Sequence, residues 1–273
     1  MDFIVGEKFY EVADFIFSTN IVEYGHEDYN KLNNTFDINK LNEINIIYLH
    51  TMYRNQFFDV IRPLDNKFIV ITHNSDININ SVSNVPKNVI KWYSQNVNCV
   101  DNRLISLPIG LENSRWFPQF RKKEKIISKL DTKKIFKNLV YMNHNINTNK
   151  LRQIPYELLK NRSFVTTQMR ANGQDFDNYI DNVYNHKFVI CPEGNGIDTH
   201  RTWETLYLKS IPIEKISINN SFYEDLPICF VDNWEDITED FLNNEYERIT
   251  NTKFNLEKLN FGYWKNKIRN EKK

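Results

Sequence analysis

Arg201 and Glu204 are the residues of this 273-residue chain whose types and spacing best suit the binding of a charged ligand. They lie three apart on a predicted helix, so they share one stripe of its surface. The helix follows a loop that contains Gly194, Asn195 and Gly196. A helix N-terminus already carries partial positive charge, so a cation is unfavourable there unless an anion binds. The pattern therefore predicts a phosphate site, with backbone contacts from the loop.

A carboxylate one turn deeper in the same helix could accept two hydrogen bonds from the hydroxyl groups of a ribose, and Glu204 is placed for this role. The alternative is an exposed ion pair between Arg201 and Glu204 beside a tight turn, and glycine-loop patterns alone do not decide between the two. His200 could also reach a phosphate. It shares a stripe with Trp203 and Tyr207, however, so packing against the domain is equally consistent with its position.

The local pattern around these residues is strand, loop, helix, strand. Residues 187–191 form a short apolar run, as expected of a strand buried on both faces. Asp198 or Thr199 can cap a helix that runs to about Lys209, and residues 210–213 begin the next strand. The segment is therefore a predicted βαβ unit.

The rest of the chain alternates in the same way. Residues 44–50, 67–72, 104–109 and 138–142 are predicted strands, and residues 89–96 are predicted as a short helix. Strands alternating with helices predict an α/β fold with parallel sheets.

Polar residues follow two of these predicted strands. His73 and Asp76 come after the strand at 67–72, and a histidine has a pKa suited to a general base near neutral pH. Asn143, Thr148 and Arg152 follow the strand at 138–142, where ligands bind in such folds. A surface histidine and an asparagine-rich surface turn are the structural alternatives at the two places.

Composition limits the classes of function. The 35 basic and 35 acidic residues balance, which argues against a general nucleic-acid surface. Three scattered cysteines without metal-ligand spacing suggest free thiols in a reducing compartment. No apolar run is long enough to span a bilayer, and the N-terminus does not resemble a signal peptide. We therefore expect a cytoplasmic protein without a transmembrane segment.

The segment FVICPEGNGIDTHRTWETLYLKSIPI, residues 188–213, resembles the signature of exostosin-like glycosyltransferases and their bacterial and viral relatives. Residues 92–96 (WYSQN) and 107–113 (LPIGLEN) also resemble that family, and the similarity extends over about residues 69–231. The chain departs from the pattern at Lys209, where the family usually has glycine. The resemblance implies a GT-B fold, with two Rossmann-like domains facing a cleft. We expect an acceptor-side domain at residues 1–125 and a nucleotide-sugar-binding domain at residues 126–273.

The resemblance also implies transfer of a sugar from a nucleotide-sugar donor to a glycan or other hydroxyl acceptor, such as a glycoprotein, with inversion. Such an enzyme, from a bacterium or from a virus in the host cytoplasm, would build a polysaccharide. It would need no cofactor and no metal, because a helix dipole and basic residues stabilise the leaving diphosphate. Asp175 and Asp177 have the spacing of a metal-binding pair, but a helix cap explains them better. His73 or Asp76 would then be the base.

Two other classes of function remain open from the sequence. One is a catalytically inactive protein of the same fold that binds a nucleotide or a sugar. The other is another nucleotide-binding α/β enzyme, such as a dehydrogenase, which would need the pattern G-x-G-x-x-G after an early strand. Gly194 and Gly196 match only the first half of that pattern.

Overall fold

The computed structural model describes residues 2–17, 35–113, 121–130, 132–168 and 176–273, which form two compact units. The first unit comprises Met1–Ile109 and Asn260–Lys273, and the second comprises Gly110–Leu259. The boundary predicted at residues 125 and 126 therefore lies inside the second unit, and the last 14 residues group with the first. The assignment of an acceptor side and a nucleotide-sugar side stays a prediction.

The first unit contains a parallel sheet of five strands in the order β1-β2-β3-β4-β5. The strands are β1 (Phe15–Phe17), β2 (Ile44–His50), β3 (Lys67–His73), β4 (Val89–Ser94) and β5 (Leu104–Ser106). Its helices are α1 (Arg54–Ile61) and α8 (Phe261–Asn270), with 3-10 turns at Gly6–Val12, Ile38–Lys40 and Thr51–Tyr53. The apolar runs of β2 and β3 are buried almost throughout, as expected of central parallel strands.

The helix predicted at residues 89–96 is wrong, because this segment is strand β4. Trp92 pairs with Val70 of β3 and with Leu104 of β5, so the strand is hydrogen-bonded on both sides. The indole nitrogen of Trp92 also donates a hydrogen bond of 2.8 Å to Thr72. A short apolar run fits a buried strand or a buried helix equally well by periodicity, and here pairing with both neighbours decides it.

The second unit contains another parallel sheet of five strands, in the order β10-β9-β8-β6-β7. The strands are β6 (Asn138–Met142), β7 (Val165–Thr167), β8 (His186–Ile190), β9 (Ile211–Lys215) and β10 (Cys229–Val231). The helices are α2 (Arg121–Leu130), α3 (Gln153–Leu159), α4 (Phe176–Asn185), α5 (His200–Tyr207), α6 (Ile218–Ser221) and α7 (Glu239–Thr250), with 3-10 turns at Lys150–Arg152, Trp234–Asp236 and Leu256–Leu259.

The direction in which strands are added to this sheet reverses between β6 and β8. In parallel α/β sheets, the loops that leave the two strands at such a switch point diverge and open a crevice at the carboxyl ends. The loops after β6 and after β8 therefore border this crevice. They carry the polar residues that the sequence analysis singled out in this half of the chain.

Helix α5 leads away from the crevice. Its N-cap, Thr199, makes no hydrogen bond from its side chain to the first turn, so the backbone N–H groups there have no side-chain cap. Trp203, Leu206 and Tyr207 are buried and anchor the helix in the unit. The chain turns out of the helix at Lys209, whose φ of 57° lies in the left-handed region.

That left-handed residue occupies the position where helices commonly place glycine. A side chain with a Cβ costs roughly 1–2 kcal/mol in this conformation. The ammonium group of Lys134 also lies at this helix end, where it donates hydrogen bonds of 2.6 Å to the Leu208 carbonyl and to the Ser210 hydroxyl. Burial, and then the charge of Lys209, lowers the pKa of Lys134 to about 7.

Lys209→Gly should therefore raise the free energy of unfolding of the second unit by about 1 kcal/mol, since glycine adopts this backbone conformation without strain. Denaturant unfolding followed by circular dichroism measures the change. Lys209→Ala is the matched control, because it removes the charge near Lys134 and keeps the Cβ. Equal stabilisation by both variants would show that charge repulsion, and not backbone strain, is relieved.

Candidate functional site

Arg201 lies in the first turn of α5, and its guanidinium carbon is 5.1 Å from the centroid of the Tyr179 ring. Its Nη1 atom is buried and has no hydrogen-bond partner within the described part of the chain. Nor does Arg201 form an ion pair with any residue that the structure describes, so the exposed Arg201–Glu204 pair considered from the sequence is not found. A buried cationic donor without an acceptor is costly, and an anionic ligand would remove that cost.

Glu204 is buried, with 5% of its surface exposed, and accepts a hydrogen bond of 2.7 Å from the hydroxyl group of Tyr179. Burial raises the pKa of Tyr179 well above its usual value, so this hydroxyl stays protonated and donates a hydrogen bond to the carboxylate. Tyr179 thus contacts both residues: its ring faces Arg201 and its hydroxyl binds Glu204. The sequence analysis did not single out Tyr179, because it lies in a different helix, α4.

The glycine loop is held from the other side of the crevice by Arg152, which precedes α3. The guanidinium group of Arg152 donates to the carbonyl oxygens of Glu193, at 2.6 Å, and Pro192, at 3.3 Å. The Gly194 N–H donates to the Gly196 carbonyl at 2.8 Å, which closes the turn. A Cβ at Gly194 would lie 3.1 Å from Nη2 of Arg152. Glycine at this position therefore permits the close approach of the arginine.

The loop after β6 brings a histidine to the site that sequence reasoning missed. His144 is buried, and its Nε2 donates a hydrogen bond of 2.9 Å to the Arg152 carbonyl. Burial lowers the pKa of His144 to about 4, and the charges of Arg201 and Arg152 also lower it. The ring is therefore neutral, and Nδ1 is an acceptor that lacks a partner among the described residues. Nothing in its neighbouring sequence distinguishes this histidine.

The sequence analysis also singled out Asn143, Thr148 and Asn195 as possible ligand-binding residues. Asn143 is buried directly after β6, and Thr148 lies in a turn, where its N–H donates to the Asn145 carbonyl at 3.4 Å. Asn195 is exposed at the tip of the glycine loop. The structure thus brings Arg201, Glu204 and the glycine loop to one edge of the sheet.

His200 does not pack in the core with Trp203 and Tyr207. Its Nδ1 lies 2.8 Å from the Gly110 carbonyl oxygen, and its Nε2 lies 3.4 Å from a carboxylate oxygen of Glu112. Gly110 has a φ of 68°, a left-handed conformation that favours glycine. His200 therefore contacts the turn formed by the LPIGLEN segment, so two of the motifs noted in the sequence meet through this side chain.

A cavity of about 230 Å³ is lined in part by residues that precede and follow the glycine loop, Pro192 and Glu193 before it and Ile197 and Asp198 after it. Its charged lining residues are Glu193, Asp198, Glu214, Lys215 and Glu235. We call it the acidic cavity. Burial raises the pKa of Glu214 to about 7, although hydrogen bonds from Thr202 and Asn220 act against the rise. Glu214 and the acidic cavity were missed from sequence, because a single glutamate near a strand end is not distinctive.

The predicted acceptor residues lie in the first unit. His73 is fully buried: its Nε2 lies 3.1 Å from the Pro108 carbonyl oxygen, and its ring stacks on Phe9 at 4.9 Å between centroids. Asp76 is exposed in the loop after β3. The catalytic roles of both residues stay predictions.

Of the aspartate pair considered for a metal, Asp175 lies outside the described residues, and Asp177 is exposed in the first turn of α4. No group of three or more His, Cys, Asp or Glu side chains within the described ranges is arranged to hold a metal ion. The same part of the chain contains no helix long and apolar enough to cross a bilayer.

The fold is similar to that of known glycosyltransferases. An α1,3-fucosyltransferase structure matches with a TM-score of 0.50 and 12% identity, over 89% of this chain and 81% of that chain. An α1,3-fucosyltransferase with GDP-fucose gives 0.47 and 12%, over 88% and 81%. A UDP-forming trehalose-phosphate synthase from Burkholderia xenovorans gives 0.46 and 11%, over 85% and 75%. No family model matches the chain, and neither does any curated protein.

The predicted α/β fold of the GT-B glycosyltransferase type, with two parallel-sheet units, is confirmed by the topology and by the first of these likenesses. At such low identity the likeness concerns the fold alone. The more specific resemblance to exostosin-like enzymes stays a prediction, because no family model supports it.

The raised pKa of Glu214 predicts how stability depends on pH. Between its usual pKa of 4.5 and its folded value of about 7, the folded protein holds a proton that the unfolded chain has lost. This contribution to the free energy of unfolding is full below the lower value and is lost as pH rises through the upper one.

Glutamine cannot lose this proton, so Glu214→Gln should remove the pH dependence. As pH rises from about 5 to 8, the wild type should lose stability relative to the variant. Denaturant unfolding across that range measures the difference. Glu224→Gln, at an exposed position, is the control and should follow the wild type. If the Glu214→Gln and wild-type curves stay parallel, the raised pKa is not a property of this carboxyl group.

Proposed function

We propose that this protein is a glycosyltransferase that moves a sugar from a nucleotide-sugar donor to a hydroxyl group of a glycan or glycoprotein. One observation carries the proposal: Arg201, at the N-terminus of α5 where the N-cap side chain makes no hydrogen bond, has a buried donor atom, Nη1, that no described residue satisfies. Both features suit an anion, and the leaving group of such a transfer is a nucleoside diphosphate.

The steps of the reaction assign roles to neighbouring groups. As the bond from the sugar to the diphosphate breaks, negative charge grows on the phosphate oxygens, and the guanidinium of Arg201 stabilises it. Backbone N–H groups of Asn195 and Gly196 add hydrogen bonds, while Gly194, whose N–H closes the turn, shapes the loop. Glu204 accepts hydrogen bonds from the ribose, with Tyr179 holding its carboxylate in place. His144 offers one further acceptor nearby.

Finer features of the proposal rest on the sequence resemblance. They are inversion at the anomeric carbon, membership of the exostosin-like family, an origin in a bacterium or virus, and action in the cytoplasm on a polysaccharide. The anomeric configuration of the product, read by NMR, tests the first of them; a retained configuration would contradict it.

The two other functions considered from the sequence make different predictions in one titration. A dehydrogenase would bind NAD, whereas an inactive relative would bind a nucleoside diphosphate without turning over a sugar donor. The buried Nη1 donor of Arg201, for which no described residue is an acceptor, favours binding of a diphosphate in either of the two GT-B cases. Donor turnover then separates the enzyme from the inactive protein.

Arg201→Ala should reduce the rate of transfer by an amount equivalent to about 2–4 kcal/mol, because a preorganised donor to the leaving group is lost. Steady-state kinetics with the donor give the change, and circular dichroism checks the fold. Arg248→Ala is the control, since this exposed arginine forms an ion pair with Glu245 at the surface. A wild-type rate for Arg201→Ala would contradict the phosphate assignment.

The acceptor side is proposed to be the loop after β3. Asp76 is the better candidate for the base, because its carboxylate is exposed and can reach an acceptor, while His73 is enclosed by Phe9 and the Pro108 carbonyl. His73 is proposed to support this loop from below.

Asp76→Asn should lower the transfer rate by roughly 100-fold or more, the usual effect of losing a general base. The affinity for nucleoside diphosphate should not change, because Asp76 lies in a different unit from Arg201. Calorimetry and transfer assays measure the two quantities, and Asp65→Asn serves as the surface control. Normal transfer by Asp76→Asn would exclude this carboxylate as the general base and leave His73 and Glu112 as candidates for that role.

We propose that no metal ion is needed, because Arg201 and the N-terminus of α5 already supply positive charge to the diphosphate. Transfer should continue at an unchanged rate in EDTA, measured against an untreated sample. Loss of activity in EDTA, restored by magnesium or manganese, would contradict this and direct attention to Asp175 and Asp177.

A further inference from the structure

We propose that the acidic cavity receives the sugar of the donor and selects an uncharged, hydroxyl-rich sugar over a sugar acid. The inference rests on the proposed function, and it adds a substrate class that the function does not specify. It is carried by the volume of the cavity, by its fixed hydrogen-bond acceptors and by its charge.

The size and place of the cavity suit a single sugar ring. Its volume of about 230 Å³ is below that of the pockets that hold drug-sized ligands, which begin at roughly 300 Å³. Its wall includes Cys191, Pro192 and Glu193 of the same loop that leads to Arg201. A ligand whose diphosphate lies at the start of α5 therefore has this cavity as its immediate neighbour.

The acceptors in the cavity are fixed before a ligand arrives. Glu214 accepts hydrogen bonds from the Thr202 hydroxyl and from the Asn220 amide, the latter at 3.2 Å. Asn220 is itself held, because its amide oxygen accepts from the Ser217 N–H at 2.8 Å. Each carboxylate oxygen can accept more than one hydrogen bond, so Glu214 keeps capacity for hydroxyl groups of a ligand.

A second carboxylate in the wall is fixed in the same way. Both oxygens of Asp198 accept from the indole N–H of Trp203, at 2.8 and 3.1 Å. Tyr223 and Trp234 add aromatic surface to the wall, which can pack against the C–H groups of a sugar. Fixed carboxylates beside aromatic rings match a ligand that presents several hydroxyl donors on an apolar ring.

The charge of the cavity decides which sugars it accepts. Four carboxyl side chains line it, against the single cation of Lys215. Burial raises the pKa of Glu214 and of Glu193, so the cavity already disfavours the ionised form of these two carboxyl groups. The carboxylate of a sugar acid would add a further negative charge to this acidic site. A neutral sugar brings no such penalty.

The experiment first ranks UDP, GDP and ADP by calorimetry. The diphosphate that binds most tightly is then compared as two esters, one with a neutral sugar and one with the matching uronic acid. These are UDP-glucose with UDP-glucuronate, GDP-mannose with GDP-mannuronate, or ADP-glucose with ADP-glucuronate. We expect the neutral ester to bind at least about tenfold more tightly than the acid, the effect of one unfavourable like-charge contact.

Glu214→Gln tests whether the cavity is responsible. At about pH 8, where Glu214 is ionised, the variant should bind the diphosphate alone as the wild type does. It should lose about tenfold in affinity for the neutral ester, since a charge-assisted hydrogen bond is lost. Its preference against the uronic acid should shrink. Glu224→Gln, an exposed glutamate outside the cavity, should match the wild type for every ligand.

The outcomes separate the inference from the proposed function. If a diphosphate binds but its two esters bind equally, or if Glu214→Gln weakens the diphosphate and the esters alike, the cavity is not the sugar pocket and the proposed function stands. If no diphosphate binds, the proposed function fails. The cavity is then tested by saturation-transfer NMR with methyl glucoside and glucuronate, and absence of a Glu214-dependent signal overturns the inference as well.

Discussion

The positive charge of Arg201 is the constraint on which the arrangement of the second unit depends. A guanidinium group cannot be neutralised by losing its proton, so burying it requires compensation by neighbours. The ring of Tyr179 supplies part of this, since a cation over an aromatic face gains about 0.5–2 kcal/mol. The hydroxyl of that ring is tied to Glu204 in turn. The remaining donor capacity has no described acceptor, which is why an anion is the natural partner.

A second arginine beside the crevice has acceptors for its hydrogen-bond donors. Arg152 donates to the carbonyl oxygens of Pro192, Glu193 and Asn145, so its hydrogen-bonding capacity holds the glycine loop in shape. The two arginines therefore have different roles. Arg152 positions the backbone N–H groups of the loop, and Arg201 is left to meet a ligand. Because Gly194 allows Arg152 to approach closely, the glycine contributes to binding through the arginine.

The sequence could predict elements whose cause is local. The βαβ unit and the placement of Arg201 and Glu204 on α5 follow from apolar runs and helical spacing, and the structure has both. Thr199 is the N-cap residue, but its side chain makes no capping hydrogen bond. The sequence could not predict that residues 89–94 form a strand, because that depends on pairing with β3 and β5.

Contacts between residues far apart in the sequence could not be predicted from it either. Tyr179 lies 25 positions from Glu204, and the hydrogen bond between them requires the fold to bring residues of α4 and α5 together. His144 and Glu214 acquire their shifted pKa values from burial, which no local pattern reports. At Lys209 the sequence showed a departure from the family glycine, and only the backbone shows that the left-handed turn persists despite it.

Two environments of opposite polarity adjoin the glycine loop in sequence. One contains the guanidinium of Arg201 over the Tyr179 ring at a helix N-terminus, and the other is the acidic cavity with Glu214. Neither surface suits a uniformly charged ligand, since an anion is attracted by one and repelled by the other. A molecule with a diphosphate next to a neutral, hydroxyl-rich group matches both at once. The two environments together therefore constrain the ligand more tightly than either site does by itself.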